Sequence, residues 1–150
     1  MANRKQYCTF NLGKHFFGVP VEEVQEVIRY LEMTRVPLVS DVVRGLINLR
    51  GQIVTAIDLR CRLGMAERGA DQLPMNVVIR TDDGAVSLLV DEIGDVLEVD
   101  EQSLEAPPAT LQGLAREMIR GVHKLQGRLL LVLDTERAVI VDETTVQRLN

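Results

Sequence analysis

Gly45-Leu-Ile-Asn-Leu-Arg-Gly-Gln-Ile-Val-Thr-Ala-Ile-Asp58 reads as two apolar strands folded about an Arg50-Gly51 turn. Gly51 supplies the positive φ that a tight connection needs, and the branched residues on either side suit a pleated sheet. Asp58 ends the second strand and caps a short helix over Leu59 to Leu63, which Gly64 closes. The stretch occurs twice. Gly45, Leu49, Gly51 and Asp58 recur 76 positions on, as Gly121, Leu125, Gly127 and Asp134 in Gly121-Val-His-Lys-Leu-Gln-Gly-Arg-Leu-Leu-Leu-Val-Leu-Asp134.

A second correspondence lies upstream. Val21-Glu-Glu-Val-Gln-Glu-Val-Ile28 returns 69 positions on as Val90-Asp-Glu-Ile-Gly-Asp-Val-Leu97. Either copy fits a short amphipathic helix or a strand entered through a turn. Gly94, unfavourable inside a helix, decides for turn then strand in both, with the second strand over Asp95 to Val99. Ahead of each copy stands a hairpin: Gln6 to Leu12 with His15 to Pro20, and Met75 to Arg80 with Ala85 to Val90 on the Asp82-Asp83-Gly84 turn. Ser40-Asp41 is expected to begin one helical turn, and Asp134 to cap a last helix running to about Val141. The polar stretch Glu67 to Pro74 divides the two copies.

The chain thus offers five strands twice in the same order. Closing five short strands into a small barrel removes exposed sheet edges. The expected fold is therefore all-β with short helices: two packed five-stranded SH3-like barrels in one domain over residues 1–150. The first barrel is expected over about 15–66 and the second over about 75–133, with terminal segments and strands open to exchange between them. Neither half has enough residues to bury a large core alone, so the two should pack together.

Composition narrows the function. A net charge of −5 and 3% aromatics argue against a nucleic-acid surface. No apolar run approaches the roughly 20 residues of a membrane span, and the N-terminus enters a strand pattern, so a soluble cytoplasmic protein is expected. Cys8 and Cys61 have no C-x-x-C spacing and read as two buried free thiols. His15 and His123 lie at no metal-ligand spacing, and His123 reads as a strand-face residue. Phosphate loops, nucleophile elbows and dinucleotide fingerprints are missing, so neither an enzyme nor a cofactor is expected.

Two features remain. Glu26 and Arg50 have Asp95 and Gln126 as their counterparts, so a carboxylate–guanidinium pair is open to the first copy only, if the third and fourth strands are neighbours. Such a pair would either fix the hairpin tip for a partner or be a rim salt bridge. Val21, Val24 and Val27, with Val90, Ile93 and Val96, are spaced by three across a turn-to-strand junction. They serve the core, or some of them line a groove between the barrels suited to an amphipathic helix.

The block from Gly45 to Arg60 resembles the signature of the CheW family, the coupling proteins of bacterial chemotaxis. Val21 to Ile28, Leu89 to Ile93 and Gly121 to Asp134 match further family segments in order. One departure is Thr55-Ala56, where the family usually has Pro-Val. The resemblance implies a non-enzymatic adaptor that joins the cytoplasmic signalling tips of chemoreceptors to the regulatory domain of a CheA-type histidine kinase. It implies receptor contacts at Val21, Val24, Val27 and Ile93, and kinase contacts at Val36, Pro37, Asn48, Arg50 and Gly51. It also implies a protein monomeric alone, held in a large array in the cell, and near the membrane only through receptors, with no insertion of its own. Two rival expectations are a coupling protein for surface motility or gene regulation, and a ligand-sensing β-barrel module.

Overall fold

The computed structural model describes residues 3–35, 42–109, 111 and 116–140. Ten strands follow in chain order: β1 Arg4–Leu12, β2 His15–Pro20, β3 Val24–Ile28, β4 Val43–Leu49, β5 Gln52–Asp58, β6 Met75–Thr81, β7 Gly84–Val90, β8 Glu92–Asp100, β9 Ile119–Leu125 and β10 Arg128–Leu133. Two short helices, α1 Leu59–Arg62 and α2 Thr135–Ala138, follow β5 and β10. Asp58 accepts from Arg60 N at 3.1 Å and Asp134 from Arg137 N at 3.2 Å, so each aspartate caps its helix. The expected extension of α2 toward Val141 ends at Ala138, and the expected turn at Ser40-Asp41 lies outside the described residues.

The strands form two five-stranded sheets, ordered β8-β1-β2-β10-β9 and β3-β6-β7-β5-β4. Counting five strands to each copy, the two orders are identical once each copy's first hairpin is placed in the other copy's sheet. β1-β2 pairs with β8 and, in parallel, with β10, while β6-β7 pairs with β3 and, in parallel, with β5. Each sheet therefore contains strands from both sequence copies. The polar stretch Glu67–Pro74 divides the copies but not the sheets, because β5 and β6 on either side of it belong to the same one. The chain passes between sheets at the 3-10 turn Val21–Glu23 and at the single residue Asp91. The strand expected over Asp95–Val99 is longer, starting at Glu92 immediately after this crossing.

β3 and β4 are the two end strands of their sheet, not hydrogen-bonded neighbours as the pairing of Glu26 with Arg50 had required. The sheet curls so that the chain leaving β3 returns to β4. Thr34 and Leu46 exchange both backbone hydrogen bonds at 2.8 Å. The other sheet repeats this between Glu105 and Val122, again with two bonds of 2.8 Å. These bridges explain Gly45 and Gly121. A Cβ on Gly45 would lie 2.5 Å from Thr34 O, and one on Gly121 would lie 2.8 Å from Glu105 O. The glycines recur because a second strand approaches their backbone too closely for any side chain.

Burial follows the two faces of each strand. Leu131 and Leu133 of β10 join Phe10, Phe17, Ile57 and Leu88 in a central cluster that holds the sheets together. Leu130 and Val132 face the other way, toward Tyr7, Phe16 and Val99 inside their own sheet. Ile47 and Ala56, and Leu49 and Val54, fill the interior of the other. Strands buried on both faces read as unbroken apolar runs, which is why Leu129 to Leu133 does not alternate.

Candidate functional site

The hairpin tip is built by its own residues. Arg50 and Gly51 both have positive φ, 52° and 86°, the signature of the primed turn that matches strand twist. Asn48 Oδ1 accepts from Gly51 N at 2.9 Å and steadies the turn. Among the described residues Arg50 alone adopts positive φ without being glycine. Its guanidinium reaches across to β3, where Nη1 and Nη2 each donate to a Glu26 carboxylate oxygen at 2.8 Å. The pair therefore spans the ends of the curled sheet. Glu26 is largely covered and Arg50 stays exposed, so a cation is presented at a fixed point on the surface. Val36 and Pro37, expected on the same face, lie outside the described residues.

The four residues expected at the seam occupy three environments. Val24 and Ile93 are half-buried and pack against the central cluster. Val21, in the 3-10 turn, lines a shallow cleft with charged neighbours, among them Lys5, Glu22 and Glu101. Val27 stands out from β3 with 44% of its surface exposed. Its counterpart Val96 is 55% exposed on β8, so each third strand carries one outward valine. Of the six apolar residues spaced by three, Val27 and Val96 are the two that are exposed.

Sequence reasoning missed three arginines: Arg60 and Arg68 close on the crossing at Asp91, and Arg44 on the helix-capping Asp58. Arg60 donates to both Asp91 oxygens, Arg68 Nε donates to Oδ1 at 2.9 Å, and Gly13 N donates to Oδ2 at 2.7 Å. Arg44 Nε donates to Asp58 at 3.0 Å. Burial alone would raise the Asp91 pKa, but the donors from Arg60, Gly13 and Arg68 outweigh it and hold the carboxyl below its ordinary range. Arg44 sits at a β-bulge between Val43 and Gly45, and Arg120 sits at the matching bulge before Gly121. Arg120 likewise approaches its helix-capping aspartate, Asp134, at 3.7 Å. The recurrence of Arg44 as Arg120 was therefore the available signal, since a bulge turns these side chains toward the cap. Arg68 gave no such signal, because it lies in a polar stretch that reads as solvated.

His123 lies on β9, on a strand face as the sequence suggested, and that face is fully buried. Ser103 Oγ is 2.7 Å from Asp100 O, which can only accept, so the hydroxyl donates there. Its oxygen then accepts Nδ1–H of His123 at 2.8 Å, leaving Nε2 to accept from Tyr7 Oη–H at 3.1 Å. Burial pushes the His123 pKa down, and it does the same for His15. A depressed imidazole pKa means the unfolded chain binds protons first. Stability should be flat above pH 6.5, the ordinary value, and fall as pH drops through the lowered folded values. Denaturant midpoints measured from pH 7.5 to 5 should show this slope, and His123→Gln should reduce it.

Cys8 and Cys61 are both half-buried. Among the described residues no group of three or more His, Cys, Asp or Glu is placed to hold a metal ion, and no helix is long and apolar enough to cross a membrane.

Comparison with known proteins agrees with this architecture. The CheW-like domain family matches residues 6–142. The chemotaxis protein CheW of Bacillus subtilis is 33% identical over 94% of this chain and 90% of its own length. The chemotaxis protein CheW of Klebsiella aerogenes is 30% identical over 93% of this chain and 84% of its own. The crystal structure of the scaffolding protein TtCheW from Thermoanaerobacter tengcongensis superposes with a TM-score of 0.84 at 25% identity, covering 95% of this chain and 92% of that one. Two exchanged five-stranded sheets and a family match over nearly the whole length lead to one conclusion: the chain belongs to the CheW family.

Proposed function

We propose that this protein is a non-enzymatic cytoplasmic scaffold that couples chemoreceptor signalling tips to a CheA-type histidine kinase. The family match over residues 6–142 carries this reading. Two separate surfaces support it. The outward Val27 of β3 offers aliphatic surface where two helices of a receptor tip would dock. The Asn48–Gly51 tip with its Glu26-anchored Arg50 offers a rigid polar contact for the kinase regulatory domain. A scaffold of this kind alters kinase output only if its contacts differ between receptor states, since equal binding shifts no equilibrium.

Val27 gives a cleaner test than Val24, whose packing on the core makes a charge there disruptive in itself. Val27→Glu should weaken binding to a receptor-tip fragment roughly tenfold or more, the scale of an interface anchor. Its thermal midpoint and its affinity for the kinase regulatory domain should stay near wild type. Unchanged receptor affinity in a folded Val27→Glu protein would remove β3 from the receptor face.

A further inference from the structure

Each curled sheet is shut by a short segment that leaves one end strand and bridges to the other, and different chemistry ties down the two segments. In the sheet ending in β3 and β4, the buried Asn76 side chain donates to Arg29 O at 3.1 Å and accepts from Ser87 Oγ at 2.8 Å. Arg29 stands just ahead of the Thr34–Leu46 bridge. In the sheet ending in β8 and β9, the tie is His123. Its Nδ1 meets Ser103 Oγ at 2.8 Å, at the end of the 3-10 turn Glu101–Ser103 and just ahead of the Glu105–Val122 bridge. By the two offsets, Asn76 corresponds to Tyr7 and Ile47 to His123. The second tie contains a group that titrates near neutral pH, and the first does not.

The His123 network holds one ring proton. Ser103 gives its hydrogen to Asp100 O and accepts Nδ1–H, which leaves Nε2 to accept from Tyr7 Oη. A second ring proton would set Nε2–H against the phenol O–H. Among the described residues Tyr7 Oη makes no other hydrogen bond, so turning its hydrogen away would leave a buried donor unpaired. No charged group among the described residues contacts the ring. On β1, Arg4 pairs with Glu98 of β8 and Lys5 with Glu22. On β9, Arg120 approaches Glu23 and Asp134, and Lys124 approaches Glu105. Arg128 of β10 lies over the Phe16 ring, Glu101 is exposed, and the Asp100 carboxylate accepts from Gln102 N at 2.9 Å. Asp100 favours the imidazolium, and burial outweighs it.

A buried cation is relieved by reaching water, and one side of this network yields more readily than the others. β1 is paired on both edges, with β2 and β8, and β9 is paired with β10 along its length. Glu101 is held by its N–H on Asn3 O at 2.9 Å. Beyond it, Ser103–Glu105 is fastened to β9 by the His123 contact, the two bonds with Val122 and the Leu104 side chain against Gly121. We propose that Ser103–Glu105 is a proton-operated latch: a proton taken up by His123 frees this segment from β9 and uncovers the backbone edge of Val122, while the Asn76-tied segment of the other sheet stays shut. Neither Val27 nor the Arg50 tip takes part, so the latch stands apart from the scaffold reading.

The test is amide hydrogen exchange of the isotope-labelled full chain from about pH 7.5 to 5.5, corrected for the intrinsic pH dependence of exchange. Protection of the Glu105 and Val122 amides should be flat above pH 6.5 and fall below it, by up to about tenfold per pH unit, the limit for one proton. The Thr34 and Leu46 amides, in the bridge of the other sheet, should show no such fall. His123→Gln should abolish the pH dependence at Glu105 and Val122. Ser103→Ala, at an exposed position, gives a second reading that does not disturb the core. At neutral pH it should already speed exchange at Glu105 and Val122 roughly threefold or more, the scale of one lost hydrogen bond. Constant protection at Glu105 and Val122, equal loss at both bridges, or unchanged exchange in Ser103→Ala would overturn the proposal. So would a fall that persists in folded His123→Gln, because the proton would then bind elsewhere, as at His15.

Discussion

Asp91→Ala is expected to destabilise the protein by about 3–5 kcal/mol, the scale seen when one member of a buried charge cluster is removed. Asp91 is the entire connection between β7 and β8, and its carboxylate is the shared acceptor for Arg60, Arg68 and Gly13 N. Its loss leaves Arg68, 7% exposed and already with Nη2 unpaired, without its nearest counter-charge. The effect should reach both sheets, since the crossing joins them. Urea midpoints read by circular dichroism, at constant m, measure it. Acid should act in the same direction. The depressed pKa means that this contribution is fully present above pH 3.8 and is lost as pH falls below that value toward the folded pKa. A loss under about 1 kcal/mol would mean that the cluster is structurally incidental.

Gly45→Ala should cost about 2–4 kcal/mol, through overpacking and loss of a paired bridge. The added carbon would sit 2.5 Å from Thr34 O, a backbone atom that cannot rotate aside, so Thr34 and Leu46 must part. Gly121→Ala meets Glu105 O at 2.8 Å and the Leu104 side chain at the same distance, part of which is free to move. It should therefore cost less. Comparing the two thermal midpoints tests whether the duplicated glycines serve the duplicated bridges. If Gly45→Ala were neutral, the close approach of Thr34 would not be needed for the fold.

Much of the fold was legible because the local signals are strong. The turn glycines, capping aspartates and repeated hairpins each depend on residues a few positions apart, and they repeat at fixed offsets. Exchange between the copies was left open by the sequence, but which strands exchange was not legible. It rests on the parallel pairings of β2 with β10 and β5 with β7, joining strands far apart in sequence, and either copy's hairpin presents the same apolar pattern. The pairing of Glu26 with Arg50 illustrates the same limit. Sequence comparison picked out both residues because each departs from the symmetry. It placed them on adjacent strands, whereas they meet across the two ends of a curled sheet. Arg68 was hidden for a different reason. A charged residue in a Gly- and Asp-containing stretch reads as solvated, and only the tertiary placement of Asp58 and Asp91 makes it a buried plug. Val27 and Val96 stood in the apolar pattern with Val24 and Ile93, but only the bulged third strands determine which of them face outward.

The scaffold reading requires one chain to hold two partners at the same time. The direct measurement is size-exclusion chromatography with light scattering on the full chain mixed with a CheA-type kinase regulatory domain and a receptor signalling-tip fragment. A ternary complex is predicted, with each binary complex also forming and Val27→Glu losing only the receptor. Mutually exclusive binding, or no binding of either partner, would contradict the account.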